Sequence, residues 1–423
     1  EAAYARALAL APDWPRARWQ QALAVPAVPE SEAAAAAALA RFDAGVAALT
    51  ADPGDSEAAF DCMQAVGVFA MHYLPGDHTA RQRRYGDLLG AVASRARPQW
   101  LQTDWTALAH GGRLRVGFVS AYLHEHVVER YFGGWIRGLD PARFERHAWY
   151  TGASADARTQ ALRESVDHFA EPAGSFDDFA AALRAAKLDV LIYLDVGLDP
   201  RQQALAALRL APVQCAAYGH PVGTGLATVD YYLSGDALEP ADADMHYRER
   251  LVRLPGLGCV PRAPATPAGT PASDLRVAGQ PLLLCLQNLI KLPPSFDAVL
   301  AAVLAASGAV LVLFDRSAGI SRRFVARLSA ALQARGLDPA ACLRVEAARP
   351  YADYLALVQQ ADLVLDSPGF SGGGTSLDAL GVGTPAVTFD GAFARGRQTA
   401  AMLRRLGLAE LVAADDAAYV ALA

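Results

Sequence analysis

The spacing of apolar residues changes character near residue 113. Upstream, apolar positions recur three and four residues apart. This period predicts helices over 31–51, 57–72 and 79–95, with Asp52-Pro53-Gly54-Asp55 and Leu74-Pro75-Gly76-Asp77 as turns. Downstream, short apolar runs alternate with amphipathic stretches. Strands are expected at 114–120, 147–151, 190–194, 213–218 and 231–234, with helical patterns such as 176–186 and 201–208 between them. The stretch 255–280 interrupts the rhythm. It is rich in Pro, Ala, Gly and Thr, with Pro261, Pro264, Pro267 and Pro271, and reads as an inter-domain connection. A second series follows, with strands at 282–286, 309–314, 343–346, 363–365 and 386–389. Helices are expected there at 294–306, 321–335, 351–360, 375–381 and 397–406. Strands alternating with helices specify open, mostly parallel sheets. The expected fold class is therefore α/β, with two Rossmann-like domains facing across a cleft behind an all-α region. The expected boundaries are 1–105 for the helical region, 106–262 for the first Rossmann-like domain, 263–280 for the linker and 281–423 for the second.

Tyr4, Ala7 and Pro12 follow the aromatic, small, proline order that ends a tetratricopeptide repeat, and Asp13-Trp14-Pro15 opens a further helix. One partial repeat does not by itself separate such a repeat from any Ala-rich amphipathic helix. The hydrophobic fraction of 53% across 423 residues is ample for two or three cores. A net charge of −6 lacks the basic excess that nucleic-acid binding needs. The apolar run 31–49 is broken by Glu32, Arg41 and Asp43, so no membrane span is expected. The five cysteines (Cys62, Cys215, Cys259, Cys285, Cys342) are scattered and form no C-x-x-C pair, which points to a reducing, cytoplasmic location.

Candidate chemistry gathers where strands end, because ligands of parallel sheets sit beyond the carboxyl ends of the strands. In the second series, a strand at 363–365 runs through Gly372-Gly373-Gly374-Thr375-Ser376 into a helix. Bare amides and the positive helix end make this a natural anion site, and the stretch is read as holding a nucleotide diphosphate. Plain close packing of strand and helix accounts for the glycines equally well. Asp378 is placed in the first helical turn, within reach of a ribose hydroxyl. After 282–286, Gln287 and Asn288 offer hydrogen-bond donors and Lys291 a cation. In the first series, 114–120 leads to His124 and His126. Position suits His126 to general base work, although a histidine packed in its loop is the plainer alternative. The glycine loop 219–225 lies at another strand end. His124-x-His126 has poor spacing for a metal pair, and Asp242-x-Asp244 lies in a polar loop as solvated charge. There is no P-loop, G-x-S-x-G or dinucleotide fingerprint.

From about residue 106 to the end, the chain resembles the catalytic region of the O-linked N-acetylglucosamine transferases and the plant spindly-type enzymes. The matching pieces are Leu114-Arg-Val-Gly-Phe-Val-Ser120 with His126, Val166-Asp-His168-Phe169, and Leu210-Ala-Pro-Val-Gln214 with Gly219-His220-Pro221. They continue through Asp230-Tyr-Tyr232, Tyr247-x-Glu249-x-Leu251, Gln287-Asn288-Leu-Ile-Lys291 and the stretch 361–378, to Gly383-Thr-Pro385. The family joins tetratricopeptide repeats to two Rossmann-like domains of the B-type glycosyltransferase fold. The resemblance implies a metal-independent, inverting transferase, with a UDP-sugar (UDP-GlcNAc first) as co-substrate and no cofactor. Its partners would be protein or peptide acceptors, reached through the tetratricopeptide region and modified on Ser or Thr. Two alternatives are a nucleotide-sugar-binding scaffold without turnover and the same fold using GDP-fucose. By motif position, Lys291 neutralises the leaving diphosphate, Asn288 and Thr375 bind phosphate, Asp378 binds the ribose and Tyr354 stacks on the base. His126 is the base or orients the acceptor, while His168, Gly219, His220, Pro221 and Phe370 line the sugar and acceptor cleft. The chain departs from the family where Gly373-Gly374-Thr375 replaces His-Thr-Thr. Two side-chain donors are lost there, at about 0.5–1.5 kcal/mol for each hydrogen bond. Phe370 stands where a small residue is usual, His220 where Tyr is usual and Tyr354 where His is usual.

Overall fold

The structure is a computed structural model that describes residues 2–103, 105, 112–171, 173–267, 269, 275–315 and 317–423. The expected boundary at residue 106 lies outside the described residues, as do 268 and 270–274 of the expected linker. Contacts divide the chain into two units.

The first unit comprises Glu1–Ala24, Ala40–Phe69 and Asp77–Arg262. Its strands are β1 (Leu114–Ser120), β2 (Phe144–Tyr150), β3 (His168–Ala170), β4 (Val190–Tyr193), β5 (Val213–Ala217), β6 (Tyr231–Gly235) and β7 (Arg250–Leu254). They lie side by side as β3-β2-β1-β4-β5-β6-β7, and every pairing is parallel. The last five residues of β1 and the last four of β2 are buried, as expected of strands covered on both faces by helices. Strand order turns back between β1 and β4, so the loops leaving these two neighbours part there.

The second unit comprises Val25–Leu39, Ala70–Gly76 and Ala263–Ala423. It holds β8 (Leu282–Cys285), β9 (Val310–Phe314), β10 (Leu343–Glu346), β11 (Leu363–Leu365), β12 (Ala386–Phe389) and β13 (Val412–Ala413). The order β10-β9-β8-β11-β12-β13 is parallel throughout and places the reversal between β8 and β11. All four residues of β8 are buried, with side chains of both parities packed into apolar clusters: Leu283 and Cys285 in one, Leu282 and Leu284 in the other.

The upstream helices are present at Ala2–Leu10, Pro15–Leu23, Glu32–Ala51, Ser56–Ala65 and Thr79–Ala96. They do not form a third unit. Val25–Leu39 and Ala70–Gly76 pack with the second sheet and the remainder with the first. Residues 57–72, expected as one helix, divide into Ser56–Ala65 and a 3-10 turn at Phe69–Tyr73. The helix Glu32–Ala51 is long and apolar enough to cross a membrane by length and composition alone, because alanine supplies its apolarity. Its larger apolar side chains, Phe42, Val46 and Leu49, are nevertheless buried in the fold, and Asp43 accepts from Arg81 and Arg84.

Candidate functional site

The carboxyl ends of β8 and β11 bring together the stretches that carry the candidate residues of the second unit. Asp366 follows β11, wholly buried. It accepts from Gln287 Nε2 at 3.0 Å, the Gly372 amide at 2.8 Å and the Thr388 hydroxyl at 2.7 Å. Burial raises its carboxyl above the ordinary range, against the hydrogen bonds from Thr399, Thr388 and Gly372. Gln287 Nε2 also donates to Thr375 Oγ1 at 3.1 Å, and Gln287 Oε1 accepts from Lys291 Nζ at 3.1 Å. A chain of hydrogen bonds thus runs from Asp366 through Gln287 to both Lys291 and Thr375. Because Thr375 Oγ1 accepts from Gln287, its own proton is left to donate. The lysine is held further by the Ser371 carbonyl at 3.4 Å and by the face of Phe370, 4.7 Å away. Phe370 is buried with its ring against Tyr73, so it serves as a platform for Lys291.

The helix Gly374–Gly381 starts beside this chain, and its cap, Gly373, offers no side-chain hydrogen bond. Its first amides have no intrahelical acceptor, so an anion can be received there by backbone alone. Any side chain at Gly372 would displace this cluster. A Cβ there would stand 2.3 Å from Ser376 Oγ, 2.5 Å from Gln287 Nε2 and 2.8 Å from Thr375 Oγ1. Asn288 caps the 3-10 turn Leu289–Lys291 by accepting the Ile290 amide on Oδ1, which leaves its amide hydrogens for a ligand.

Asp378 is not in the first helical turn, as expected from sequence, but is the fifth residue of the helix, and that first turn carries no acidic residue. Its carboxylate accepts the Tyr351 hydroxyl at 2.7 Å. Tyr351 in turn stacks on Tyr354 (6.1 Å, 22°), and Phe314 meets Tyr354 edge-on at 6.0 Å. Tyr354 is half-buried in the core, whereas Tyr351 is exposed.

In the first unit, His126 caps the helix Val127–Gly138. Its Nδ1 accepts the Val128 amide at 3.3 Å, and the ring of Tyr122 stacks on it at 4.3 Å. Burial, with the charge of His124 added, lowers its pKa to about 4. An Nδ1 that accepts puts the proton of the neutral ring on Nε2, so this face of the imidazole donates. The loop is fixed from beneath by Asp195, two residues beyond β4, whose Oδ2 accepts the Ala121 amide at 3.3 Å. Burial pushes the Asp195 carboxyl up to about 7, against hydrogen bonds from Ser120 and Ala121. Asp195 and Asp366 thus hold equivalent places, one at each strand-order reversal.

The sequence profile of Glycosyl transferase family 41 matches residues 291–423. A solved lysine-to-methionine mutant of the O-GlcNAc transferase of Thermobaculum terrenum superposes with a TM-score of 0.73 and 26% identity. The match covers 99% of this chain and 77% of that one. A probable UDP-N-acetylglucosamine–peptide N-acetylglucosaminyltransferase, SPINDLY of Petunia hybrida, is 27% identical over 324 residues, which is 74% of this chain and 34% of the relative. SEC of Arabidopsis thaliana, described by the same activity, is 25% identical over 288 residues. Over most of its length the chain is similar to the O-linked N-acetylglucosamine transferases, and its last third matches the family 41 profile. It spans about a third of the length of the curated SPINDLY relatives it matches.

Of the positions that the O-GlcNAc transferase resemblance singles out, the fold joins Lys291, Gln287, Thr375, Gly373, Gly374 and Phe370 in one cluster. Asn288 stands in the adjoining turn, and Asp378 is reached through its own helix. His220 and Pro221 differ from expectation, since both are buried. His220 Nδ1 lies 3.3 Å from the Val196 carbonyl, and its ring packs on Phe69 at 4.7 Å. Gly219 is needed for packing, because a Cβ would meet the Leu194 carbonyl oxygen at 2.1 Å. His168 also lies away from the His126 loop. It sits on edge strand β3 beside His147 and Glu145, towards the amino ends of the strands. Sequence reading missed Asp366, Asp195 and Tyr351. The two aspartates each end an apolar strand run, the one signal that marks them.

Proposed function

We propose that this chain transfers a sugar from a UDP-sugar, with GlcNAc as the first candidate, to Ser or Thr hydroxyls of proteins. The transfer inverts the anomeric centre and needs no metal. The observation that carries this reading is the Lys291 ammonium, held by Gln287, Ser371 and Phe370 in the cluster that opens the uncapped helix at Gly373. Amides of Gly373, Gly374 and Thr375, with the Thr375 hydroxyl, receive the diphosphate. Lys291 stabilises the charge that grows on the diphosphate as it leaves. Asp378, presented by Tyr351, takes the ribose, and Tyr354 is the ring for the base. His126 orients the acceptor, since its Nδ1 is committed to Val128 and its Nε2 carries the proton. Acceptor choice belongs to the upstream helical region, and a cytoplasmic location follows from the scattered cysteines.

The test is incubation with labelled UDP-GlcNAc and cognate lysate. Lys291→Met is expected to lower kcat about 10²–10³-fold, the range for losing one preorganised charge-stabilising donor. An unchanged rate removes Lys291 from the mechanism. The bare cap at Gly373 favours a second reading, a nucleotide-sugar-binding scaffold without turnover. Calorimetric binding of UDP with no transfer would select it. A thermal-shift panel of UDP-, GDP- and TDP-sugars separates a UDP donor from GDP-fucose, since a bound donor raises Tm.

A further inference from the structure

A second cluster of chemically able side chains lies in the first unit, outside the loops used above. Glu145 and His147 are two apart on β2 and so share one face of the sheet. His168 on β3 is the register partner of His147. One carboxylate oxygen, Glu145 Oε1, stands 2.9 Å from His147 Nε2 and 3.0 Å from His168 Nε2. The two imidazoles face each other at 4.3 Å and 28°, and the three ligand atoms all lie within 4.8 Å of one another.

We propose that Glu145, His147 and His168 bind a divalent transition-metal ion of the zinc class, which ties the edge strand β3 to β2. Two imidazole nitrogens and one carboxylate oxygen are a recognised three-ligand set for zinc. With metal–ligand bonds of roughly 2.0–2.1 Å, tetrahedral ligand atoms stand about 3.4 Å apart. The two Glu145–histidine separations need to open by only a few tenths of an ångström, and all three residues have rotatable side chains. The carboxylate is already divided between two tasks. Oε1 faces the imidazoles, while Oε2 faces Arg115 at 3.9 Å and Arg113 at 4.0 Å. Arg113 and Arg146 are themselves paired with Asp167 at 2.8 and 3.1 Å, which offsets their charge near a bound cation. His168 is half exposed, so water fills the remaining coordination position. The site has a structural purpose, because β3 is only three residues long and lies at the sheet edge. It does not rest on the transferase reading, and it lies apart from the His126 loop.

Equilibrium dialysis of the full chain against zinc chloride, with elemental analysis, tests the proposal. About one zinc per chain is expected in the unsubstituted protein. His168→Ala, which alters an exposed side chain, is expected to weaken binding at least 10-fold, while His126→Ala retains it. Zinc is expected to raise Tm in the unsubstituted protein but not in His168→Ala, and cobalt in place of zinc should give visible tetrahedral absorption. Three results each overturn the site: no zinc uptake, uptake unchanged by His168→Ala, or uptake abolished by His126→Ala but kept by His168→Ala.

Discussion

At His126, a single backbone contact decides what the ring can do. The Val128 amide occupies Nδ1, the proton sits on Nε2, and burial keeps the ring neutral down to about pH 4. His126 therefore contributes no inflection near pH 6.5 to kcat/KM for transfer, and any acid limb it governs falls near 4. A limb at 6.5 that disappears in His126→Ala would show a solvated ring instead. Linkage gives the matching stability effect. The folded pKa lies below the usual 6.5, so the unfolded chain binds more protons between these values. Stability from His126 is thus present above about 6.5 and is lost as pH falls towards 4. Asp195 has the opposite sign. Its folded value of about 7 lies above 3.8, so the folded chain binds more protons between them, and its contribution declines as pH rises through 7. Urea midpoints at pH 5 and pH 8 check this. Asp195→Asn, which keeps an acceptor for Ala121, is expected to show a smaller fall between the two than the unsubstituted chain.

Among elements, the helix Thr79–Ala96 illustrates how the upstream region supports the first sheet. Gly86 on this helix meets the glycine loop so closely that a Cβ would lie 2.1 Å from the Gly225 carbonyl oxygen. A Cβ on Gly225, itself at φ +72°, would lie 2.2 Å from that of Gln82. Gln82 Nε2 seals the contact by donating to the Thr224 carbonyl at 3.0 Å. Gly86→Ala is expected to destabilise by about 1–3 kcal/mol through overpacking, despite alanine's better helix propensity. A chemical denaturation curve measures it, and a stabilised variant would refute the close packing. The elements most legible from sequence were those with long apolar runs. The strands β1, β10, β11 and β12 and the helix Tyr351–Gln360 have the bounds that periodicity implied. The strands β3, β7 and β13 were not legible, because His168-Phe169-Ala170 opens on a polar residue, Arg250–Leu254 is interrupted by Arg253, and β13 has two residues; the terminal helix Asp416–Leu422 has only seven residues in which to display a helical period.

On the scale of the molecule, sequence-distant segments are stitched into the second unit by polar contacts, most of them part-buried. Arg327 holds Asp297 through two hydrogen bonds at 2.6 and 3.0 Å and donates at 2.7 Å to the carbonyls of Pro29 and Leu292. Val28 enters the same core, Arg395 donates to the Gly76 carbonyl, and Glu32 accepts the Ser295 amide at 2.9 Å. Arg327→Ala strands a buried carboxylate and is expected to lower stability by about 3–5 kcal/mol. Arg327→Met with Asp297→Leu should recover part of that loss. Equal loss in the single and double variants would assign the effect to the Pro29 and Leu292 contacts instead.

The sequence by itself determined the alternation of strands and helices, because burial of a parallel sheet imposes apolar runs that composition displays directly. It also marked Lys291, the glycines at 372–374 and His126, which stand at strand ends in recognisable motifs. Only the tertiary structure decided which of these residues meet. Asp366 and Asp195 acquire their roles from the strand order, which places β11 beside β8 and β4 beside β1. Tyr351 reaches Asp378 across 27 residues. His168 joins Glu145 and His147 because parallel pairing fixes their register. Contacts of this kind depend on strand order and register, which no local period encodes.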